Sequence, residues 1–186
     1  AGITVEGNLF YNQGASNEHV DVNAASDVLV RGNIFLNDFA ASGRTNARDT
    51  ASFVAVKDAN GADDDVSGAS SIDIDGNIFM GWQGSVATNF VQLAENGYPF
   101  YEARDVLVQN NLMLGDGGDE MRAPFGCKGA GNVVVRSNTV VGNIPASAFA
   151  FRLNVEGQSP PNDGLSFFNN IWSAPGGTMT DLTDTE

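Results

Sequence analysis

The feature that most restricts this chain is an eight-residue phrase that occurs six times. It first reads Ile3-Thr4-Val5-Glu6-Gly7-Asn8-Leu9-Phe10, and it returns at 28–35, 72–79, 106–113, 133–140 and 165–172. The pattern is apolar, any, apolar, any, any, asparagine, apolar, apolar; only Thr139 departs from it. The opening alternation has the period of a β-strand. Valine and isoleucine dominate its apolar positions, as a pleated, half-buried surface favours. After a two-residue corner comes the asparagine, and the chain then resumes with apolar residues. Asparagine tolerates the left-handed conformation better than most residues, so it is expected to make the bend.

The six asparagines are Asn8, Asn33, Asn77, Asn111, Asn138 and Asn170, spaced by 25, 44, 34, 27 and 32 residues. Between successive asparagines lies one more strand-like run, at 19–23, 53–57, 90–94, 124–128 and 150–154. Each repeat therefore reads strand, corner, strand, loop, strand, loop. A unit of this size cannot bury its own apolar face, and stacking the units solves the problem. Each strand then pairs in parallel with its counterpart about 4.8 Å away. The asparagines fall above one another, where their amides can form an internal hydrogen-bonded ladder. The expected fold is an all-β parallel solenoid of about six coils over 1–173, with a Gly/Thr/Asp-rich tail over 174–186. An antiparallel sandwich would show short, even hairpin spacing, and a doubly wound α/β fold would need helical segments. Neither pattern is present.

The phrase with its asparagine corner resembles the right-handed parallel β-helix superfamily, which includes pectate lyase-like and alginate or chondroitin lyase-like proteins. The resemblance covers residues 3 to 173. It implies the fold more narrowly than any activity, because one coil carries lyases, hydrolases, epimerases, adhesins and tailspikes. It implies an extracellular or cell-surface protein that meets polysaccharide. In uronate lyases of this kind a Lys or Arg is the base and cations neutralise the sugar carboxylate. The hydrolase branch uses aspartates with a His and an Arg-x-Lys pair, and no Arg-x-Lys occurs here.

Charge narrows the partners. With 23 acidic against 9 basic residues the net charge is −14, a field that opposes nucleic acid and anionic membranes. No apolar run approaches the roughly 20 residues of a membrane span. Cys127 is the one cysteine, so no internal disulfide forms and the expectation is a buried, inert thiol. His19, the one histidine, is expected to be a lone solvated or satisfied residue. Neither end shows an amphipathic helix that would cover a terminal coil. The alternative to carbohydrate binding is thus a structural module that stacks end to end or belongs to a longer chain.

Candidate residues follow from the inter-phrase strands. If these stack in register, one outward column is Asp21, Ala55, Gln92, Gly126 and Arg152, and the next is Asn23, Lys57, Ala94, Lys128 and Asn154. Both lysines of the protein share the second column, roughly 9 to 10 Å apart by strand spacing. By the resemblance, Lys128 or Lys57 would be the base and Arg152 the carboxylate clamp. A lysine base requires a pKa lowered by burial or by cationic neighbours. Asp21, Asn23, Gln92 and Asn154 would bind substrate, and Tyr98 and Tyr101 would stack on sugar. The acidic loops Asp63, Asp64, Asp65 and Asp116, Asp119, Glu120 supply the oxygens that a calcium ion requires, although neither matches an EF-hand.

Overall fold

Each repeat contributes three strands, one to each of three sheets. The computed structural model describes residues 2–12, 18–43, 51–61, 63, 65–84, 88–117, 119, 121–142, 149–175 and 183–185. Among these residues the first sheet contains β1 (Ile3–Glu6), β4 (Ser26–Arg31), β7 (Ala69–Asp75), β10 (Ala103–Gln109), β13 (Ala130–Arg136) and β16 (Asp163–Phe168). The second contains β2 (Leu9–Tyr11), β5 (Ile34–Leu36), β8 (Ile78–Met80), β11 (Leu112–Gly115), β14 (Thr139–Gly142) and β17 (Ile171–Ser173). The third contains β3 (Val20–Asn23), β6 (Val54–Lys57), β9 (Val91–Leu93), β12 (Phe125–Lys128), β15 (Phe151–Asn154) and β18 (Thr183–Thr185). Every strand pair is parallel, as in Ile3↔Val28, Leu9↔Ile34 and Val20↔Val54. The result is an all-β parallel solenoid. β18 lies in the segment read from the sequence as a tail, and it pairs with β15. Among the described residues no helix is long and apolar enough to cross a membrane.

The phrase's alternation becomes the core. Val30, Ile74, Val108 and Val135 are register neighbours in the first sheet and all are buried. From the second sheet one residue per strand points inward: Phe10, Phe35, Phe79, Met113, Val140 and Trp172. Phe10 lies 4.9 Å from Phe35, and Phe35 lies 4.9 Å from Phe79, with the rings within 6° and 11° of parallel. Parallel in-register strands repeat every side chain at the strand spacing, so like rings meet face to face. Cys127 is buried in the third sheet's inward column, and burial pushes its thiol up to about 12. It is a residue of the core.

The six asparagines join consecutive repeats. Asn33 donates from its backbone N and its Nδ2 to Asn77 Oδ1, both at 3.0 Å. Asn77 does the same to Asn111 at 2.9 and 3.0 Å, and Asn111 to Asn138 at 3.0 and 2.9 Å. Asn8 donates likewise to Asn33, and Asn138 to Asn170. The second Nδ2 hydrogen reaches a strand carbonyl, Val5 O from Asn33, Val30 O from Asn77 and Ile74 O from Asn111. The bend itself is made elsewhere than expected. The residues with positive φ are those just before each asparagine: Gly7, Gly32, Gly76, Asn110, Ser137 and Asn169, at 55° to 67°. Asparagine is used at this corner for its amide, and its neighbour takes the left-handed conformation.

His19 enters the third sheet beneath Phe53, with ring centroids 4.9 Å apart, and its Nε2 lies 3.1 Å from Asn37 Oδ1. Burial lowers its pKa to about 4, and the Asn37 hydrogen bond opposes that only in part. The folded pKa is below the unfolded value near 6.5, so the unfolded chain takes up the proton first. The contribution of neutral His19 is therefore complete above pH about 6.5 and is lost as the pH falls toward 4. The loss amounts to roughly 3 kcal/mol. Asp21 and Asp73 have raised pKa values, chiefly through burial, and work in the opposite direction at lower pH. The His19 share is expected as the difference between unfolding free energies of the wild type and His19→Phe, measured by denaturant at pH 7 and pH 5. Equal slopes for the two proteins would exclude it.

Candidate functional site

The register brings the expected third-sheet columns together: Asn23 beside Lys57, Ala55 beside Gln92, Gly126 beside Arg152, and Lys128 beside Asn154. It does not leave them open. Ala55 is 1% exposed, Gln92 3%, Arg152 8% and Asn154 6%. Between β9 and β12 a described residue of the lead-in segment reaches the outside of the sheet. Asn89, fully buried, donates to Ala123 O, and its Oδ1 sits where a side chain on Gly126 would stand, 2.4 Å from that Cβ position. Gln92 turns back to donate to Ala94 O at 2.8 Å. The expected groove is covered, and Arg152 is not presented as a clamp.

The lysines differ from the expected base as well. Lys57 Nζ is held by Glu18 at 2.9 Å, Glu95 at 3.3 Å and Asp21 at 3.7 Å. Burial works to lower its pKa, but the three carboxylates outweigh it, and the net shift is upward. This arrangement favours the protonated form of Lys57, the opposite of the lowered pKa that a base requires. Lys128 Nζ lies 3.3 Å from Glu156, with the lysine side chain 14% exposed. Asn23 Oδ1 accepts from Ala59 N at 2.7 Å. Tyr98 stacks on Phe100 and lies against Gly61, while Tyr101 lies against Gly131; both rings are half-buried.

Of the acidic loops, Asp63 and Asp65 are exposed, and Asp116 Oδ1 accepts from Gly81 N at 2.7 Å. Asp119 is half-buried, and Asp64 and Glu120 lie outside the described residues. Among the described residues no three His, Cys, Asp or Glu side chains are grouped to hold a metal ion.

An open, chemically mixed surface occurs instead on the outside of the first sheet. A groove of about 310 Å³ is lined by Asp105, Val106, Leu107, Asn132, Val134 and Arg136. Leu107 and Val134 are register neighbours that form its floor. Asn132 Nδ2 donates to Asp105 Oδ1 at 2.6 Å along one rim. Along the other, Arg136 donates through Nε and Nη2 to Gln109 Oε1 at 3.1 and 2.9 Å. Asp73 and Asp75 continue this surface onto β7, where burial, and then the charge of Asp75, raise the pKa of Asp73. Further along, Arg31 pairs with Glu6 at 2.8 Å.

A second left-handed column positions the Asp105 rim. Asp27, Ser71, Asp105, Asn132 and Gly164 all have φ between 52° and 64°, one residue before each apolar alternation. The bend turns the short polar side chains out beside the strands. The signal was present in the sequence as Asp, Ser, Asp, Asn and Gly at one offset in successive repeats, one residue upstream of the phrase. No family model, no curated protein and no solved structure matches this chain.

Proposed function

We propose that the chain is a right-handed parallel β-helix of about six coils, related to the pectate lyase-like superfamily, and that it holds an extended polysaccharide outside the cell or at its surface. The observation that carries this reading is the first-sheet groove. Its apolar floor at Leu107 and Val134 suits the C–H face of a sugar ring, and its rims offer amide, carboxylate and guanidinium groups to hydroxyls. Arg136 is the group that would receive the carboxylate of an acidic sugar. The lysines and arginine considered for lyase chemistry do not converge on this groove, so the reading is binding. Affinity electrophoresis against neutral and acidic polysaccharides tests it. At least one polysaccharide is expected to retard the protein, and Arg136→Ala and Asn132→Ala are each expected to weaken that retention about tenfold, near the 1.4 kcal/mol of one good polar contact. Retention by none, or retention that both variants leave unchanged, would remove the proposal.

A second reading, end-to-end assembly, is favoured by the polarity of the asparagine column. Among the described residues none donates to Asn8 Oδ1, and none accepts from Asn170 N, so the two ends are complementary. The same edges would carry the next coil of a longer chain.

A further inference from the structure

Both lysines of the chain stand beside an asparagine of the adjacent coil. Asn23 and Lys57 are register neighbours in β3 and β6, and Lys128 and Asn154 are register neighbours in β12 and β15. Each ammonium also meets a glutamate: Lys57 Nζ lies 2.9 Å from Glu18, and Lys128 Nζ lies 3.3 Å from Glu156. The two sets differ in what the asparagine does. Asn23 is engaged, its Oδ1 accepting from Ala59 N. Asn154 is 6% exposed, and its Oδ1 is buried with no hydrogen-bond partner. Buried amides are ordinarily paired, so this one calls for a reason. The lysines differ too. Three carboxylates, Glu18, Glu95 and Asp21, hold the Lys57 ammonium, whereas Glu156 alone pairs with Lys128.

We propose that Lys128 and Asn154 react with one another and close an amide bond between adjacent coils. Lys128 Nζ attacks Asn154 Cγ. The Nζ–Cγ bond forms and the Cγ–Nδ2 bond breaks. Glu156 carries the protons: its carboxylate takes two in turn from Nζ and passes both to the departing Nδ2, which leaves as an ammonium ion. The carboxylate ends as it began, and nothing is oxidised or reduced. Register supplies the proximity. The two strands run about 4.8 Å apart, a gap that the four methylenes of lysine span, so nucleophile and amide are held together as in an intramolecular reaction. Burial limits competition from water, since the Lys128 side chain is 14% exposed and Asn154 6%. The Asn154 oxygen gives up no hydrogen bond in order to react. Glu156 is half-exposed and leaves one side open for the ammonium ion to depart. The product ties β12 to β15 covalently, beside the corner where the chain returns to the first sheet.

Intact-mass measurement of the folded 186-residue protein tests this. The protein is expected to be lighter than its sequence by one ammonia. Trypsin is expected to leave the chain uncut after Lys128 and to release a branched peptide that joins Lys128 to Asn154. Lys128→Arg and Asn154→Ala are each expected to show the full sequence mass. Glu156→Gln, at a half-exposed position that leaves the core untouched, is expected to fold and to lose ammonia roughly a hundredfold more slowly. Lys57→Arg is expected to lose ammonia as the wild type does. A wild type of full sequence mass overturns the proposal. Loss that persists in Lys128→Arg also overturns it, and would place the change at an Asn-Gly pair such as Asn96-Gly97. Loss at the wild-type rate in Glu156→Gln overturns the part assigned to Glu156. None of these outcomes depends on polysaccharide binding, which uses another sheet.

Discussion

Asn77→Ala is expected to destabilise the protein by roughly 2 to 6 kcal/mol, a large effect for one side chain. The number follows from what is orphaned. Asn77 Oδ1 accepts from both Asn33 N and Asn33 Nδ2, and Asn77 Nδ2 donates to Val30 O and to Asn111 Oδ1. Asn77 and Asn33 are each 1% exposed, so no water can replace these partners. Alanine leaves two donors, Asn33 N and one Asn33 Nδ2 hydrogen, buried without partners, each costing about 1 to 3 kcal/mol; Val30 O stays in the β4–β7 ladder and is not counted. Asn111 Oδ1 keeps its bond from the backbone of residue 77 and is not counted. Asn77→Asp has nearly the same volume but carries no donor, and its carboxylate would face Val30 O and Asn111 Oδ1. It is expected to be at least as damaging, which would show that the amide, and not its bulk, is what matters.

The position along the solenoid provides the control. Asn8 is exposed and lies at the end of the column, and Asn33 Oδ1 would keep its bond from the backbone of residue 8. Asn8→Ala is therefore expected to cost under about 1 kcal/mol. Urea denaturation of the three variants measures the gradient. Each repeat contacts mainly its neighbours, so a break at the centre also separates the two halves energetically, and a broadened transition is expected for Asn77→Ala. Equal losses at Asn8 and Asn77 would falsify the view that burial of the amide chain sets its value.

Why these features were legible to different degrees can be said residue by residue. Val28-Leu29-Val30 and Asn33 report local facts: which side chains point inward, and where the strand turns. Repetition then fixes pairing, because a parallel stack puts equivalent residues in register. Alternation says which side of a strand is outward, but not whether another segment lies over it. Asp21, Gln92 and Arg152 were outward by period. Asn89 of the segment before β9 then lies over Gly126 and bonds to Ala123. The segments before the third-sheet strands differ in length and sequence from repeat to repeat and have no pattern to read. The first-sheet groove was missed for the opposite reason. Val106, Leu107, Val134 and Arg136 sit inside the phrase, which reads as architecture, and Asp105 and Asn132 stand one residue upstream of it.

The corners from the third sheet back to the first depend on buried polar side chains that no repeat announces, and Glu102 shows the second large effect. It is fully buried, and its carboxylate accepts four backbone N–H groups: Glu95 at 3.2 Å, Asn96 at 2.9 Å, Gly97 at 2.6 Å and Tyr98 at 3.2 Å. The loop folds around its own anchor. Asp58 does similar work one repeat earlier, accepting from Asn60, Gly61 and Gly68, and the Asn162 amide oxygen accepts from Gly129 and Ala130 one repeat later. Glu102→Ala would strand four donors. The loop can open to water and recover some of them, so the expected loss is roughly 3 to 5 kcal/mol and not the full sum. Glu102→Gln keeps one acceptor oxygen and should recover about half. Opening the loop would also withdraw Glu95 from Lys57 and Asn96 from Asp58 O, so the disturbance should spread to the preceding coil. Hydrogen exchange distinguishes this from general destabilisation. In Glu102→Ala the amides of Asn96 and Gly97 should exchange freely under conditions where those of Val106 and Val108 in β10 remain protected. If loop and strand lost protection together, the corner would be part of the global folding unit, and its carboxylate would be holding the coil as a whole.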